Sequence, residues 1–276
     1  GPKLLLYHNV TPPEFFVPWR PEFAPLLAQG REELAKLAPA FPHCAGDSSL
    51  NAEELARAGF RSPGVLPIAV DPAVWNEPAD PALMDRLQDG ARNVLFVGRI
   101  APNKRQEHVI ALLAHLLAFE PHARLVLAGP ESPGDPYASC LRALAARLGV
   151  AARVWFTGEL SQAALQACYR TAHLFVSLSE HEGFGVPLLE AMWFDVPVLA
   201  YRSTAVPETL GDAGLLVTEK RWVELEALAA RLLSDRALRQ AILRAQRRRR
   251  EAFRFAALEP RYEEWLDRAL GRGSAP

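Results

Sequence analysis

Between Glu182 and Met192 the chain reads EGFGVPLLEAM, and these residue types at this spacing can hold a phosphate flanked by hydroxyl groups. Gly183 and Gly185 permit a tight turn with close backbone approach, and Pro187 suits a first helical position. Free N–H groups at such a helix start attract phosphate. Glu182 stands just before the turn and Glu190 about one helical turn after it. Two carboxylates are an odd choice for an anion alone. They suit a ligand whose phosphates lie between vicinal diols, because an ionised carboxylate accepts hydrogen bonds from two hydroxyls. A diphosphate with a ribose on one side and a sugar on the other is such a ligand.

The positive charge that a diphosphate needs is found in GRIAPNKR, residues 98–105. Gly98 lets the chain turn, and Arg99 and Lys104 can reach a common anion from one loop. Only four of the 31 basic residues are lysine, so a lysine in this loop is less expected from background than an arginine would be.

Both segments follow short apolar runs that read as strands. The runs span 93–98, 124–129, 153–158, 173–178, 196–201 and 214–217, each followed by a turn and a pattern of helical spacing. Continuous apolar strands belong in a parallel sheet covered on both faces, and ligands of such sheets sit at the carboxyl ends of the strands. Gly149 after 137–148 and Ser161 before 162–171 mark helix ends. Ahead of this doubly wound unit, a strand at 3–7, a helix near 22–38, a strand near 42–45, a helix from Asn51 capped by Glu54 and ended at Gly59, and a strand at 65–70 continue the alternation. A strand-helix-strand unit takes roughly 30 residues, so this region holds two or three units. Asp71 to Arg92, with mixed charge and three prolines, reads as a boundary. The expected division is a partial N-terminal α/β domain at 1–72, a linker at 73–92, a complete doubly wound, Rossmann-like domain at 93–254 and a C-terminal helix at 255–276.

Half of the 276 residues are hydrophobic, 23% are charged and the net charge is -1, which excludes a disordered or membrane-spanning chain and offers nothing to nucleic acid. Cys44, Cys140 and Cys168 are odd in number, far apart and outside CxxC spacing, so neither a disulfide framework nor a zinc site is expected. A reducing, cytoplasmic setting fits, as does the absence of a visible signal segment. The chain starts at Gly1 rather than Met, which points to a fragment or a processed form. Arg247 to Arg250 read as a solvated helix face; the alternative is peripheral contact with anionic lipids at the inner face of the membrane. His108, His115, His122 and His173 read as surface or structural residues, and Phe253, Tyr262 and Trp265 as packing.

Taken together, GRIAPNKRQEHVIALL, LVLAG and the stretch from WFTGELSQAALQ through SEHEGFGVPLLEAM to DAGLLV closely resemble the donor-binding domain of family 4 glycosyltransferases, retaining enzymes of the GT-B fold. The resemblance implies an α/β, GT-B-like architecture and transfer of a sugar from a nucleotide-diphosphate sugar to an acceptor hydroxyl. It implies that Arg99 and Lys104 bind the diphosphate, Glu190 the ribose diol and Glu182 the transferred sugar. The backbone at Gly183, Phe184, Gly185 and Val186 would meet sugar and phosphate, with Gly98 beside them, and Gly158, Glu159 and Leu160 would lie by the base. YHNVTPPEFF is similar to the family segment that delivers a histidine to the cleft; His8 would then donate to a hydroxyl of the transferred sugar or support the reacting centre, helped by Asn9 and Thr11. LPIAVDP (66–72) is similar to the interdomain connection, and the last helix would cross back to the first domain. Asp195 departs from the pattern, standing where the family usually places glycine, and the earlier part of the N-terminal domain has no counterpart here. By the same resemblance no metal and no other cofactor is expected, and the absence of an Asp-x-Asp pair agrees with the first of these. The acceptor, a glycan, lipid or small molecule, stays open. The alternatives are a non-catalytic nucleotide-sugar-binding module and, more weakly, a sugar-nucleotide epimerase.

Overall fold

The computed structural model describes residues 3–272; residues 1–2 and 273–276 of the expected terminal segments lie outside it. The alternation before residue 70 becomes a small parallel sheet of β1 (Leu4–Tyr7), β2 (His43–Gly46) and β3 (Gly64–Val65), in that order. α1 (Ala24–Leu37) and α2 (Ser49–Arg57) make the crossovers, closing a core of Tyr7, Leu34, Cys44, Leu55 and Phe60. Two local expectations need correction. α2 starts at Ser49 rather than Asn51, because the Ser48 hydroxyl accepts the Asn51 N–H and caps it; Glu54 is instead a buried partner of Tyr7 and Arg31. The strand expected at 65–70 stops at Val65. Pro67 has no N–H to give a ladder, and Val70 pairs elsewhere, its N–H donating to the Phe253 carbonyl at 2.8 Å.

The stretch expected as a linker is structured. A 3-10 turn, Pro72–Trp75, buries Trp75 against Trp193 at 5.6 Å between ring centroids. α3 (Pro81–Leu87), capped by Asp80, then packs on the helix that follows β6 below.

The six apolar runs form one parallel sheet: β4 (Arg92–Val97), β5 (Ala123–Ala128), β6 (Val154–Gly158), β7 (Leu174–Ser177), β8 (Val198–Tyr201) and β9 (Leu215–Val217), ordered β6-β5-β4-β7-β8-β9. α4 (Gln106–Leu116), α5 (Pro136–Arg147) and α9 (Trp222–Ser234) contribute to one apolar core; α6 (Gln162–Thr171) and α7 (Val186–Trp193) contribute to the other. The strand order reverses between β4 and β7, and such a switch point opens a crevice at the carboxyl ends. Gly98, directly after β4, and Gly129, directly after β5, meet at the carboxyl ends of those two strands, at φ of 148° and 150°. A Cβ on Gly129 would overlap the Gly98 carbonyl. Gly129→Ala is therefore expected to destabilise the protein by about 3 kcal/mol, read from chemical denaturation.

After α8 (Val206–Leu210), α10 (Arg236–Glu251) and α11 (Phe255–Leu270) close the chain. The row Arg247 to Arg250 is only partly the solvated face that was expected: Arg247 and Arg248 are exposed, whereas Arg249 and Arg250 turn back onto the protein. Arg249 donates to the carbonyls of Glu208 and Thr209, and Arg250 to those of Met192 and Trp193. Asp195 sits left-handed at φ 54° and receives Arg247 at 2.7 Å and Arg250 at 3.1 Å. The left-handed cost of a non-glycine residue, on the order of 1 kcal/mol, is offset there by tying α10 to the end of α7. α11 returns to the first sheet, with the Tyr262 hydroxyl donating to the Pro67 carbonyl at 2.8 Å. No described helix is long and apolar enough to cross a membrane.

Candidate functional site

The loops after β4 and β7 meet at the switch point. Asn103, in the 3-10 turn Pro102–Lys104, is buried; its amide donates to the His181 carbonyl at 3.1 Å, and the Glu180 N–H donates to its carbonyl at 2.9 Å. This zipper sets Lys104 against Glu182 with Nζ 2.6 Å from Oε2, their side chains 22% and 11% exposed. Glu182 is thus not a solvated loop residue. Beside the pair, Glu180 takes Arg105 and Lys220; burial works against ionisation, but these bonds hold its carboxyl below the usual range. Arg99 lies exposed on the same loop and makes no ion pair among the described residues. Gly98, Glu159 and Leu160 gather separately, lining a cleft of about 240 Å³ with Gly129 and Pro130 at the ends of β4, β5 and β6. Gly158 turns there at φ 69°.

The two glycines of the turn are required for different reasons. Gly185 is left-handed at φ 90° and precedes α7, which begins at Val186, one residue before Pro187. Gly183 is required by crowding. A Cβ there would stand 2.8 Å from the His8 carbonyl oxygen and 2.9 Å from the Asn9 Cβ, because the loops of the small sheet press directly on the turn. Ser48 Oγ donates to the Gly183 carbonyl at 2.6 Å and Asn51 Nδ2 does so at 3.3 Å. Phe184 points inward, edge-on to Phe253 at 5.7 Å, so its backbone alone is available to a ligand. In α7, Glu190 is half-buried and receives the Tyr169 hydroxyl at 2.7 Å. Burial pushes its carboxyl up and that hydrogen bond pulls the other way.

His8 follows β1 and Asp47 follows β2, so both stand at carboxyl ends. His8 Nδ1 lies 3.0 Å from Asp47 Oδ2; Asp47 is 2% exposed and the His8 side chain 59%. The open side of the His8 ring forms a wall of an apolar cleft of about 510 Å³ with Ile68, Phe255, Tyr262 and Leu266. Asn9, left-handed at φ 92°, joins the network around Gly183, whereas Thr11 makes none of its side-chain hydrogen bonds. The structure therefore brings together His8, Asn9 and Gly183, and pairs Lys104 with Glu182, while among the described residues the Arg99 and Glu190 side chains bond to neither group. Asp47, Asn51, His181, Tyr169 and Gly129 were not foreseen. Asp47 and Ser48 did carry a signal, being polar residues between a strand end and a helix start. Among the described residues no group of three or more His, Cys, Asp or Glu is arranged to hold a metal.

The profile of the glycosyl transferases group 1 family matches residues 85–249, more than half of the chain. The chain belongs to that family. The matched span contains the whole switch point and ends inside α10. Within this family the chain is similar to a D-inositol 3-phosphate glycosyltransferase 2 of Catenulispora acidiphila, 37% identical over 140 residues, covering 48% of this chain and 32% of the relative. It is also similar to a GDP-mannose-dependent alpha-(1-6)-phosphatidylinositol monomannoside mannosyltransferase of Mycobacterium tuberculosis, 33% identical over 176 residues, covering 60% of this chain and 43% of that one. The match thus takes in less than half of either relative. Among solved structures, Anabaena HepE in complex with UDP and glucose superposes with a TM-score of 0.79 at 21% identity, covering 96% of this chain and 71% of that one. The fold is GT-B-like α/β, as the resemblance implied.

Proposed function

We propose that this group 1 glycosyltransferase chain binds a nucleotide-diphosphate sugar at the β4–β7 switch point and transfers the sugar, with retention and without a metal, to the hydroxyl of a glycan, lipid or small-molecule acceptor. The observation that carries the reading is the Lys104–Glu182 pair, which joins a cation for phosphate and a carboxylate for sugar hydroxyls at the mouth of the crevice. As the glycosidic bond breaks, negative charge grows on the leaving diphosphate; Lys104, Arg99 and the N–H groups at the start of α7 stabilise it. The base lies in the cleft of Gly98, Glu159 and Leu160. Glu190 accepts from the ribose diol with the lone pairs that the Tyr169 hydroxyl leaves open. The acceptor enters beside His8. The UDP and glucose of the HepE complex and the named activities of the curated relatives support a donor of this class.

Titration with a panel of UDP-, GDP- and ADP-sugars, reading heat of binding and released nucleotide, tests the reading. One donor is expected to bind and to release nucleotide at a rate that EDTA leaves unchanged. Binding without release makes the chain a non-catalytic module. Loss of turnover with EDTA overturns metal independence, and no binding at all overturns the assignment.

A further inference from the structure

The loops of the two sheets share a chain of hydrogen bonds whose donors and acceptors can be assigned. Asn9 Nδ2 donates to Asn51 Oδ1 at 2.7 Å and to Glu54 Oε2 at 3.0 Å. Asn9 Oδ1 is therefore the atom that faces His181 Nε2 at 2.7 Å, and His181 carries its proton there. With its oxygen committed to Asn9, Asn51 can only turn Nδ2 towards Asp47 Oδ1 and the Gly183 carbonyl. The second oxygen of the Asp47 carboxylate is left for His8 Nδ1. A carboxylate only accepts, so the hydrogen between them belongs to Nδ1, and in the neutral ring Nε2 keeps its lone pair.

We infer that Asp47 is a positioning residue: it fixes the plane of the His8 ring and its Nδ1–H tautomer, so that Nε2 meets a hydroxyl of the transferred sugar as an acceptor rather than as a donor. The inference rests on the transferase reading for its substrate, and it reverses the direction of the hydrogen bond expected of His8. Three observations support it. Asp47 is nearly inaccessible while His8 is open to the cleft. The His8 carbonyl lies against Gly183, next to the Glu182 that faces Lys104. The chain of donors runs from the turn after β7 to the Asp47 carboxylate, which His8 Nδ1–H meets from the other side, so the contact between the loops of the two sheets holds that carboxylate in place as the acceptor for the ring. A competing role exists, since a carboxylate just before α2 also favours the helix start. The test must separate the two.

Asp47→Asn does so. Its side chain keeps one oxygen, and Asn51, still held by Asn9, claims that oxygen with Nδ2. The new amide NH₂ then faces His8 Nδ1, which must accept, and the ring proton moves to Nε2. Long-range proton–nitrogen spectra of the 15N-labelled full chain at mildly alkaline pH report this directly, with His8 assigned by the signals lost in His8→Gln. The wild type is expected to show Nδ1–H with bare Nε2, and Asp47→Asn the reverse. In donor turnover, Asp47→Asn is expected to lower kcat by about tenfold or more, with donor KM changed less than about twofold. Nε2–H in the wild type, or an unchanged kcat in the variant, overturns the proposal. The wild-type spectrum requires neither a variant nor a ligand, so a chain that binds no nucleotide sugar sinks the transferase reading while the tautomer is still decided.

Discussion

Lys104→Ala is expected to weaken binding of the preferred nucleotide sugar by a factor of about 100 to 1,000. One contribution is the lost charge-assisted hydrogen bond to the diphosphate, about 1.5–3 kcal/mol. The other comes from Glu182, which is 11% exposed and loses its cation; its bare carboxylate then faces the phosphates and repels them. Together the two amount to about 3–4 kcal/mol, at roughly 1.4 kcal/mol per tenfold. Calorimetric titration checks the number. Glu182→Ala on top of Lys104→Ala is expected to recover part of the affinity, because it removes the repulsion but restores no contact. Unchanged affinity in Lys104→Ala places the diphosphate elsewhere.

Gly183→Ala is expected to reduce sugar transfer about 100-fold while leaving donor affinity within a few-fold of the wild type. The added methyl stands 2.8 Å from the His8 carbonyl oxygen and 2.9 Å from the Asn9 Cβ, and the first of these is backbone, which cannot swing aside. The loops after β1 and β7 must separate, lengthening the 2.6 Å bond from Ser48 to the Gly183 carbonyl. A displacement on the order of 1 Å at a reacting centre costs about 10²-fold. Lys104 meets Glu182 from the β4 side and is spared. Steady-state kinetics with donor titration separates the two effects. A parallel loss of affinity would mean that the turn serves the phosphates more than the apposition of the sheets.

The large sheet was legible because a strand buried on both faces is apolar throughout and needs no partner to be recognised; each of the six runs lies within two residues of a strand, with 173–178 and 196–201 both shrinking from six residues to four, Leu174–Ser177 and Val198–Tyr201. The strand at 65–70 misled for the converse reason. Leu66 and Val70 are buried, but Pro67 cannot donate to a ladder, and Val70 pairs with Phe253, 183 residues further on. In the site, Lys104 and Glu182 could be found from local chemistry, since each sits in a turn whose residue types suit a phosphate or a diol. Asp47 and Asn51 could not. Asn51 reaches Gly183 across 132 residues of sequence, and no spacing within either segment encodes that meeting. Gly183 was rightly marked as a residue that lets backbones approach; that the approaching backbone is the protein's own was not legible.

Trp75, Phe16 and Trp19 all lie outside the 85–249 span that defines the family, yet each covers part of it. Trp75 fills the space beside Trp193 and Phe194, Phe16 packs with Ala101 just ahead of Lys104, and Trp19 stands edge-on to Tyr137 at 5.0 Å. The evolutionary unit and the folding unit are therefore different objects. Excising the matched span for biophysical work would strip three aromatic side chains from apolar seats and leave an aggregation-prone surface. Swapping that span into another member of the family transfers the donor loops intact only if the segments around residues 13–23 and 70–76 travel with it.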